Sequence, residues 1–348
     1  MQFSRRRIST IVALCTVVVA YLVARRSATV GGNKVPNGWL IIAPPTYVDT
    51  ILVNGDDLWA GGKDGVWRVQ ATNGQVAAKL NCQAPLEYVH ALLSDAAGIL
   101  WIGHNNGLTR YDGNGCRTFT TADGLPNNRV NSLMRDREGQ LWVGTSGGAA
   151  IRRQDHWSII RKADGLLDDM VNVLLQDSSG GIWFGSQVAP WGGLSRLENG
   201  EWRYFTRKEG MPHLDITALM EDRFGRVWAG TGFYDHGGAV CFSRNGRDWS
   251  ITQVLTQASG LAGARVRSVF EDQSGLFWFG SELDGLTRWN DGKALVLTVK
   301  DGLPNNEVTW MLQTPDHALW LATPGGIVRI GPNAAARSPI RPPTRSGE

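Results

Sequence analysis

A polar side chain follows an apolar residue at seven regularly spaced positions, and these side chains are the first candidates for chemistry. They are Asp49, His90, Asn131, Asn172, Thr217, Arg267 and Thr309. Carboxylate, imidazole, amide, hydroxyl and guanidinium groups together can both donate and accept hydrogen bonds. If the fold brings the seven together, they predict a ring that binds a polar ligand. A ring that merely meets channel water is an equal alternative.

Two glycine-containing segments, residues 187–193 and 232–238, supply a second set of candidate binding residues. The candidates in them are Trp191, Phe233, Tyr234, Asp235 and His236. Aromatic rings could stack on sugar rings while the polar groups bind hydroxyls. Packing of the aromatic side chains on one another explains the pattern equally well. Arg129 and Arg265 precede two of the seven positions and would favour an anionic or hydroxyl-rich ligand.

The histidines do not form a catalytic or metal-binding pattern, because all six stand singly along the chain. The chain has no P-loop, dinucleotide fingerprint, HExxH motif or close Cys/His cluster. We therefore predict no metal, no cofactor and no catalytic residue. If the protein is an enzyme, His90 and His236 are the candidates for a base, since only these two are expected on the face that carries the polar ring.

A tryptophan repeat must position all of these residues. It comprises Trp59, Trp101, Trp142, Trp183, Trp228, Trp278 and Trp320, spaced by 41 to 50 residues. In five units an Asp stands six residues before the Trp, and Thr314 takes that place in the last. A period near 40 with several short β segments per unit is typical of propeller blades. The sequence predicts an all-β fold, a seven-bladed β-propeller of four-stranded blades spanning residues 36–332.

The unit from Val130 to Leu167 shows the expected blade, with strands near 130–134, 141–145, 149–153 and 157–161. The seventh unit has no outer strand after Ile330. Residues 37–42 resemble the outer strand of the fourth unit, so we predict that an N-terminal strand closes the ring. Strand polarity places the polar ring and both glycine-containing segments on one face.

The N-terminus predicts export. Residues 1–7 contain Arg5–Arg7 and read as a cytoplasmic basic stub, followed by an uncharged stretch at 8–24 and a linker at 25–35. The stretch is long enough for a transmembrane signal-anchor, although a cleaved signal peptide stays an alternative. Arginines before it favour an inner-membrane anchor with the propeller in the periplasm or outside the cell; cleavage would give a secreted protein. Residues 333–348 read as a disordered tail.

Cysteine and charge content narrow the interpretation further. Outside the anchor stand Cys82, Cys116 and Cys241, an odd number. The first two are expected on opposite faces of the propeller, so we predict three unpaired thiols. The net charge is only +3, and Lys and Arg form no run beyond the N-terminus. Nucleic acid is therefore an unlikely partner class.

The phrase Asp123–Val130, followed by Asp136, Gly139 and Leu141–Thr145, resembles the two-component regulator propeller repeat, and Asp301–Val308 repeats it almost verbatim. This resemblance implies a periplasmic sensor domain of the kind often tuned to oligosaccharides. No kinase, response-regulator or cyclase domain accompanies it here, so the signal output would belong to a separate membrane protein. The Asp…Trp turns also resemble structural motifs of sialidases, and streptogramin lyases are seven-bladed too.

These observations together predict an exported, sensor-like or accessory binding module for a glycan or other polar small molecule. A protein–protein interaction scaffold on the same face is the alternative, and a lyase-like or other propeller enzyme is the third possibility.

Overall fold

Short β-strands build most of the described part of the chain. The computed structural model describes residues 29–30, 33–154, 156–187, 191–332 and 334. Its strands are β1 (Thr29–Val30), β2 (Asn33–Lys34), β3 (Trp39–Ile42), β4 (Val48–Asn54), β5 (Asp57–Gly62), β6 (Gly65–Gln70), β7 (Val76–Lys79), β8 (Val89–Ser94), β9 (Leu100–His104), β10 (Gly107–Tyr111), β11 (Cys116–Phe119), β12 (Val130–Arg135), β13 (Leu141–Thr145), β14 (Gly148–Arg153), β15 (His156–Ile160), β16 (Val171–Gln176), β17 (Ile182–Ser186), β18 (Leu194–Glu198), β19 (Glu201–Phe205), β20 (Ile216–Glu221), β21 (Val227–Phe233), β22 (His236–Asn245), β23 (Asp248–Leu255), β24 (Val266–Glu271), β25 (Phe277–Ser281), β26 (Leu286–Asn290), β27 (Lys293–Leu297), β28 (Trp310–Gln313), β29 (Leu319–Thr323) and β30 (Gly326–Ile330).

Seven four-stranded antiparallel sheets form the blades, as predicted. Six are sequential, from β4–β7 through β24–β27, and the seventh contains β28, β29, β30 and β3. In the seventh, Trp39 pairs with Ile330 and Ile42 with Ile327. The predicted closure by an N-terminal strand is therefore confirmed, and it joins the two ends of the propeller in one sheet. A separate two-residue ladder joins β1 and β2.

The core lies between the blades rather than within one of them. Each tryptophan of the repeat lies on the second strand of its blade and is buried. Trp183, for example, packs in one cluster with Ile216 and Val227 of the following blade. Trp320 joins a cluster with Val48 and Ile51, which links the last blade to the first. Because each blade buries its apolar face only against a neighbour, the ring must close for every face to be covered.

Glycine in the Trp-x-Gly phrase follows from this packing. A Cβ at Gly144 would lie 2.9 Å from Val171 Cγ1, and one at Gly103 would lie 2.6 Å from Val130 Cγ1. Both valines are fully buried residues of the next blade's innermost strand. Any side chain at these positions would push two blades apart.

Five of the segments that cross between blades contain a short 3-10 helix. These helices span Thr121–Asp123, Lys162–Asp164, Arg207–Glu209, Gln257–Ser259 and Val299–Asp301. In the first, the Asp123 carboxylate accepts the Thr120 N–H at 2.9 Å, and Gly124 ends the helix at φ +100°. The Asp-Gly-Leu phrase is thus a capped turn. We name the side of the ring that carries these segments the crossing face.

On the face opposite the crossing face, each of several innermost strands ends in a Glu or Gln that bonds a turn of the preceding blade. Glu221 Oε1 accepts the backbone N–H of Ser178 in the preceding blade at 2.7 Å, and Gln313 Oε1 accepts that of Gln273 at 2.8 Å. Gln176 and Glu271 make the equivalent bonds. These Glu and Gln side chains satisfy turn amides that the turns themselves leave unpaired.

The prediction of three unpaired thiols was wrong, because Cys82 and Cys116 form a disulfide and only Cys241 is free among the described residues. The segment between β7 and β8 contains no 3-10 helix. Cys82 instead packs in a cluster with Tyr111, the register partner of Cys116. The assumption that Cys82 stays on the crossing face, away from Cys116, therefore failed.

The predicted stub and anchor (1–7 and 8–24) lie outside the described residues, as do most of the linker and nearly all of the tail (333–348). In the part of the chain that is described, we find no helix with the length and apolar character needed to cross a membrane.

Candidate functional site

The seven polar residues predicted as a ring line one cavity of about 500 Å³ at the centre of the propeller. In six blades the polar residue lies at a register irregularity near the start of the innermost strand, as Asn131 does between Val130 and Ser132. A bulged residue leaves the ladder and turns its side chain away from the sheet plane. Thr309, in the seventh blade, lies just before β28. The bulges explain why a polar residue recurs there.

Apolar side chains lie deeper in the same cavity. They stand two residues after the polar positions and are Leu92, Leu133, Leu174, Leu219, Val269 and Met311. The cavity therefore has a polar mouth over an apolar floor. This combination suits a ligand with hydroxyls on its edge and carbon on its faces.

Four of the seven ring residues form hydrogen bonds that join neighbouring blades. Asn131 Nδ2 donates to the carbonyl of Val171 at 3.1 Å, and Asn172 Nδ2 donates to that of Ile216 at 2.8 Å. The Thr217 hydroxyl donates to the carbonyl of Val266, and the Thr309 hydroxyl to that of Val48 at 3.0 Å. Each of these carbonyls belongs to the next blade around the ring. Each of these four side chains thus uses an N–H or O–H donor to join neighbouring blades.

The other three members, Asp49, His90 and Arg267, carry ionisable groups. Asp49 Oδ2 lies 4.0 Å from His90 Nδ1, and His90 Nε2 lies 2.9 Å from Asn105 Oδ1. Burial raises the pKa of Asp49 and lowers that of His90, so desolvation works against the charged form of each. Both side chains face the cavity, where a polar ligand could replace the lost water contacts.

Reasoning from the sequence missed three residues that stand two positions before ring members. Tyr47 and Tyr88 line the cavity, and Glu307 Oε1 lies 3.4 Å from Arg267 Nε. Burial raises the pKa of both Tyr47 and Glu307. Arg129 and Arg265 stand at the same offset of two residues before Asn131 and Arg267, so applying that offset in every blade would have found them.

The two predicted rim arginines differ. Arg129 lines the cavity, and its Nε donates to Asn131 Oδ1 at 3.2 Å. Arg265 forms an ion pair with Glu282 and lies over the Phe233 ring, 5.6 Å from its centroid. Glu282 therefore offsets the positive charge expected from Arg265. With Asp49 and Glu307 nearby, the mouth carries both signs of charge.

The aromatic candidates of the fourth and fifth blades are not among the residues lining this cavity. Strands β21 and β22 continue pairing as far as Phe233 and His236, so the fifth segment is a lengthened hairpin rather than a loop. Phe233 and Tyr234 are in edge contact, with ring centroids 4.2 Å apart. Tyr234 is 79% exposed and Trp191 71%. His236 Nδ1 lies 3.2 Å from Asp235 Oδ1 at the exposed tip.

Two further histidines lie on the side expected to carry only His90 and His236. His104 ends β9, and His213 lies in the segment that crosses from the fourth blade to the fifth. Both are buried, and burial lowers the pKa of each. The sequence pattern predicts where strands lie but not which of these side chains are buried. The position of these two histidines on this face was therefore not predicted. His90 is the one histidine among the residues lining the cavity.

The described residues contain no group of three or more His, Cys, Asp or Glu side chains arranged to hold a metal ion. The ionisable side chains at the cavity can take part in hydrogen bonding, ion pairing and proton exchange. They include Asp49, His90, Arg267, Glu307 and Tyr47.

Comparison with known proteins supports the repeat and the fold. Residues 124–147, 165–187, 210–233 and 302–325 match the family model "Two component regulator propeller". Each match runs from the end of a crossing helix towards the second-to-third-strand turn of the following blade. No curated protein sequence matches the chain significantly.

Among solved structures, the chain is similar to the extracellular domain described as that of a hybrid two-component system from B. thetaiotaomicron, with TM-score 0.72 and 20% identity. The match covers 91% of this chain but only 46% of that domain, so this chain spans about half its length. Virginiamycin B lyase from Staphylococcus aureus matches with TM-score 0.64 and 14% identity, over 84% of this chain and 98% of the lyase. YCF48 bound to a D1 peptide matches with TM-score 0.62 and 15% identity, over 85% and 97%.

Identities this low establish a shared propeller fold and leave activity to be argued from the site. The repeat phrases and the seven closed blades agree with each other and with the family match. The chain is a seven-bladed β-propeller, and four of its segments match the two-component regulator propeller family model.

Proposed function

We propose that this protein is an exported, sensor-like binding module whose central cavity takes the end of a glycan or another hydroxyl-rich polar molecule. The observation that carries this proposal is the cavity of about 500 Å³ into which polar side chains from all seven blades converge over an apolar floor. Cavities of this size and composition are typical of small-molecule sites. The signal output would then reside in a separate membrane protein.

The mixture of charges at the mouth favours a hydroxyl-rich ligand over a simple anion. Arg267 is close to Glu307, and Asp49 is close to His90. Hydroxyl groups can donate to the carboxylates and accept from the arginines without adding charge to a partly desolvated site. An anion bound near the arginines would also lie near the carboxyl groups of Asp49 and Glu307, which disfavours its binding.

Export is supported by two observations. The similar B. thetaiotaomicron domain is extracellular. The Cys82–Cys116 disulfide is of the kind that persists in oxidising compartments.

A binding screen tests the proposal. Full-length protein is heated with neutral oligosaccharides, acidic sugars and divalent metals, and shifts in the unfolding temperature are recorded. A ligand at 100 times its Kd adds about 2.7 kcal/mol to folded stability. We expect a neutral sugar to shift the transition, and Asp49→Asn to weaken its binding about tenfold, as loss of a hydrogen bond in a partly desolvated site does.

The variants Trp191→Ala and Tyr234→Ala test where the ligand binds. Unchanged affinity in these variants, together with weaker binding in Asp49→Asn, would place the ligand in the central cavity. The reverse result moves it to the segments 187–193 and 232–238. Silence of the whole panel contradicts the proposed function.

A protein-interaction scaffold is the second candidate, because Trp191 and Tyr234 are exposed aromatic residues. Such side chains are enriched at the centres of interfaces. Co-purification of a partner that depends on these two residues, with no sugar binding, would favour it.

An enzyme is the third candidate. His90 lines the cavity, and burial lowers its pKa, which favours the neutral form that accepts protons. If turnover is found with any substrate, replacing both His90 and His236 by Gln should abolish it. Turnover that survives both changes would exclude these bases.

A further inference from the structure

A second cavity, of about 420 Å³, lies where the chain passes from the first blade to the second. One wall is the turn between β5 and β6, at residues 63–65, and the other is the crossing segment 79–88. None of these residues except Tyr88 lines the central cavity. No predicted site residue lies there.

Tyr88 lines both cavities and so forms the wall between them. Its side chain is 42% exposed, and its backbone is left-handed at φ +52°. A non-glycine residue in this region is strained and persists only where its surroundings hold it. Here the Tyr88 N–H donates to the Lys63 carbonyl at 3.2 Å, and the adjacent Glu87 carbonyl accepts the Asn105 N–H at 3.4 Å.

The disulfide holds the same segment from its other end. Cys82 itself lines the second cavity and is bonded to Cys116 of the second blade's outer strand. Five other crossing segments are ordered by a capped 3-10 helix, and this one is not. The covalent bond thus takes over the role of the helix in fixing the path from Cys82 to Tyr88.

The side chains of the second cavity are polar and balanced in charge. Lys63 and Lys79 oppose Asp64 and Glu87, and Asn81 adds an amide, while Leu80 and Leu86 supply apolar surface. Lys79 Nζ also lies 5.7 Å from the centroid of the Trp67 ring. A surface with equal numbers of acidic and basic groups suits a neutral chain rich in hydroxyls better than an anion or a cation.

We propose that the second cavity is a further subsite for the same ligand, and that a neutral oligosaccharide runs from the central cavity across the Tyr88 ring into it. The inference rests on the proposed function. The tyrosine ring offers a platform for one sugar face, and the strained, cross-linked segment presents that ring already in place. Binding should therefore depend on chain length.

Titration calorimetry on the full-length protein tests this with gluco-, xylo-, manno- and chito-oligosaccharides of one to six units. Within the sugar series that binds, we expect the longest oligosaccharides to have an affinity at least tenfold higher than that of the disaccharide. Tyr88→Gly should abolish this gain, so that the longest chains bind this variant no more tightly than the disaccharide does. Glycine suits the left-handed backbone, so this variant removes the ring without adding strain. Tyr88→Phe should keep the gain.

Two controls separate the subsite from general effects. Phe224→Ala removes another exposed aromatic ring, in the turn between β20 and β21 on the face opposite the crossing face. This variant should not alter how affinity depends on oligosaccharide length. Reduction of the disulfide, or Cys82→Ser with Cys116→Ser, should diminish the gain for long chains selectively.

The outcomes distinguish the two proposals. Equal affinity from disaccharide to hexasaccharide, with binding still weakened about tenfold in Asp49→Asn, overturns the subsite and keeps the proposed function. A gain with length that survives in Tyr88→Gly also overturns the subsite. Failure of every oligosaccharide to bind contradicts both.

Discussion

His104 occupies a position that Thr or Ser holds in other blades. The hydroxyl groups of Thr145, Ser186, Thr231 and Thr323 each bond the carbonyl of a turn glycine. His104 instead accepts the Asn106 N–H on Nδ1 at 3.3 Å and bonds the Thr109 hydroxyl through Nε2 at 2.9 Å. This arrangement uses the neutral imidazole, with its proton on Nε2. Burial, with a smaller contribution from His90, lowers the pKa of His104 to about 4.

Replacing His104 by Thr should therefore make the protein less sensitive to acid. Well above pH 6.5 the imidazole is neutral in both the folded and unfolded states and contributes no pH dependence. As the pH falls from there towards 4, only the unfolded chain gains the proton, so folded stability decreases by at most about 3 kcal/mol. Urea unfolding at pH 7.5 and 4.5 measures the difference. We expect His104→Thr to lose less stability between the two pH values than the unmodified protein.

His156→Thr is the matched control, because His156 is exposed on the outer strand β15. It should leave the pH dependence unchanged. An unaltered loss of stability in His104→Thr would mean that buried carboxylates, rather than this imidazole, govern the acid response.

At the scale of the element, the turn between the first and second strands is organised by its aspartate. Asp272 Oδ1 accepts the backbone N–H groups of Ser274 and Leu276, and Oδ2 accepts the Trp278 indole N–H at 2.8 Å. The spacing of six residues along the chain brings the Asp carboxylate within hydrogen-bonding distance of the indole N–H. In the seventh blade the Thr314 hydroxyl accepts the Trp320 indole N–H at 3.1 Å, so the exception keeps the bond.

Asp272→Ala should cost about 3 kcal/mol of unfolding free energy, because it leaves the indole N–H of a buried tryptophan and two turn amides without acceptors. Asp272→Thr should cost less, since Thr314 shows that a hydroxyl can receive the indole N–H. Equilibrium denaturation in urea ranks the two variants. Asp248→Ala, which removes an exposed carboxylate paired with Arg203, is the control and should change stability by less than about 1 kcal/mol. Equal costs for Ala and Thr would contradict the role of the indole bond.

At the scale of the whole molecule, stability depends on closing the ring through β3. Ile42 is 5% exposed and packs in the cluster between the seventh and first blades, whereas Leu40 on the same strand is 37% exposed. The strand joins residues that are nearly 300 positions apart in the chain. Its contacts therefore connect the two ends of the propeller.

Ile42→Ala should destabilise the protein by about 2–4 kcal/mol, because it opens a cavity at the closure. Leu40→Ala shortens a side chain on the same strand and should cost less than about 1 kcal/mol. Chemical unfolding of both variants measures the difference. Similar small costs would indicate that the blades hold together without the closing strand.

The repeat, the number of blades and the closing strand could be predicted from sequence because they depend on local patterns. Trp59 to Trp320 mark second strands, and residues 37–42 carry an outer-strand pattern where the last unit lacks one. Alternation of apolar residues and capped turns are set by neighbours in the chain, so they can be recognised without the fold.

The candidate site was only partly predictable, because its composition depends on groups far apart in sequence. Spacing placed Asp49 and Arg267 in one ring, but it could not show that Asn172 bonds a carbonyl of the next blade. Nor could it show that Glu282 offsets Arg265, or that Cys82 reaches Cys116. Each of these facts depends on how neighbouring blades pack and where a crossing segment runs. The sequence by itself determined the propeller, since its signals repeat within each blade; the tertiary structure decided which polar groups remain available to a ligand, since their partners come from other blades.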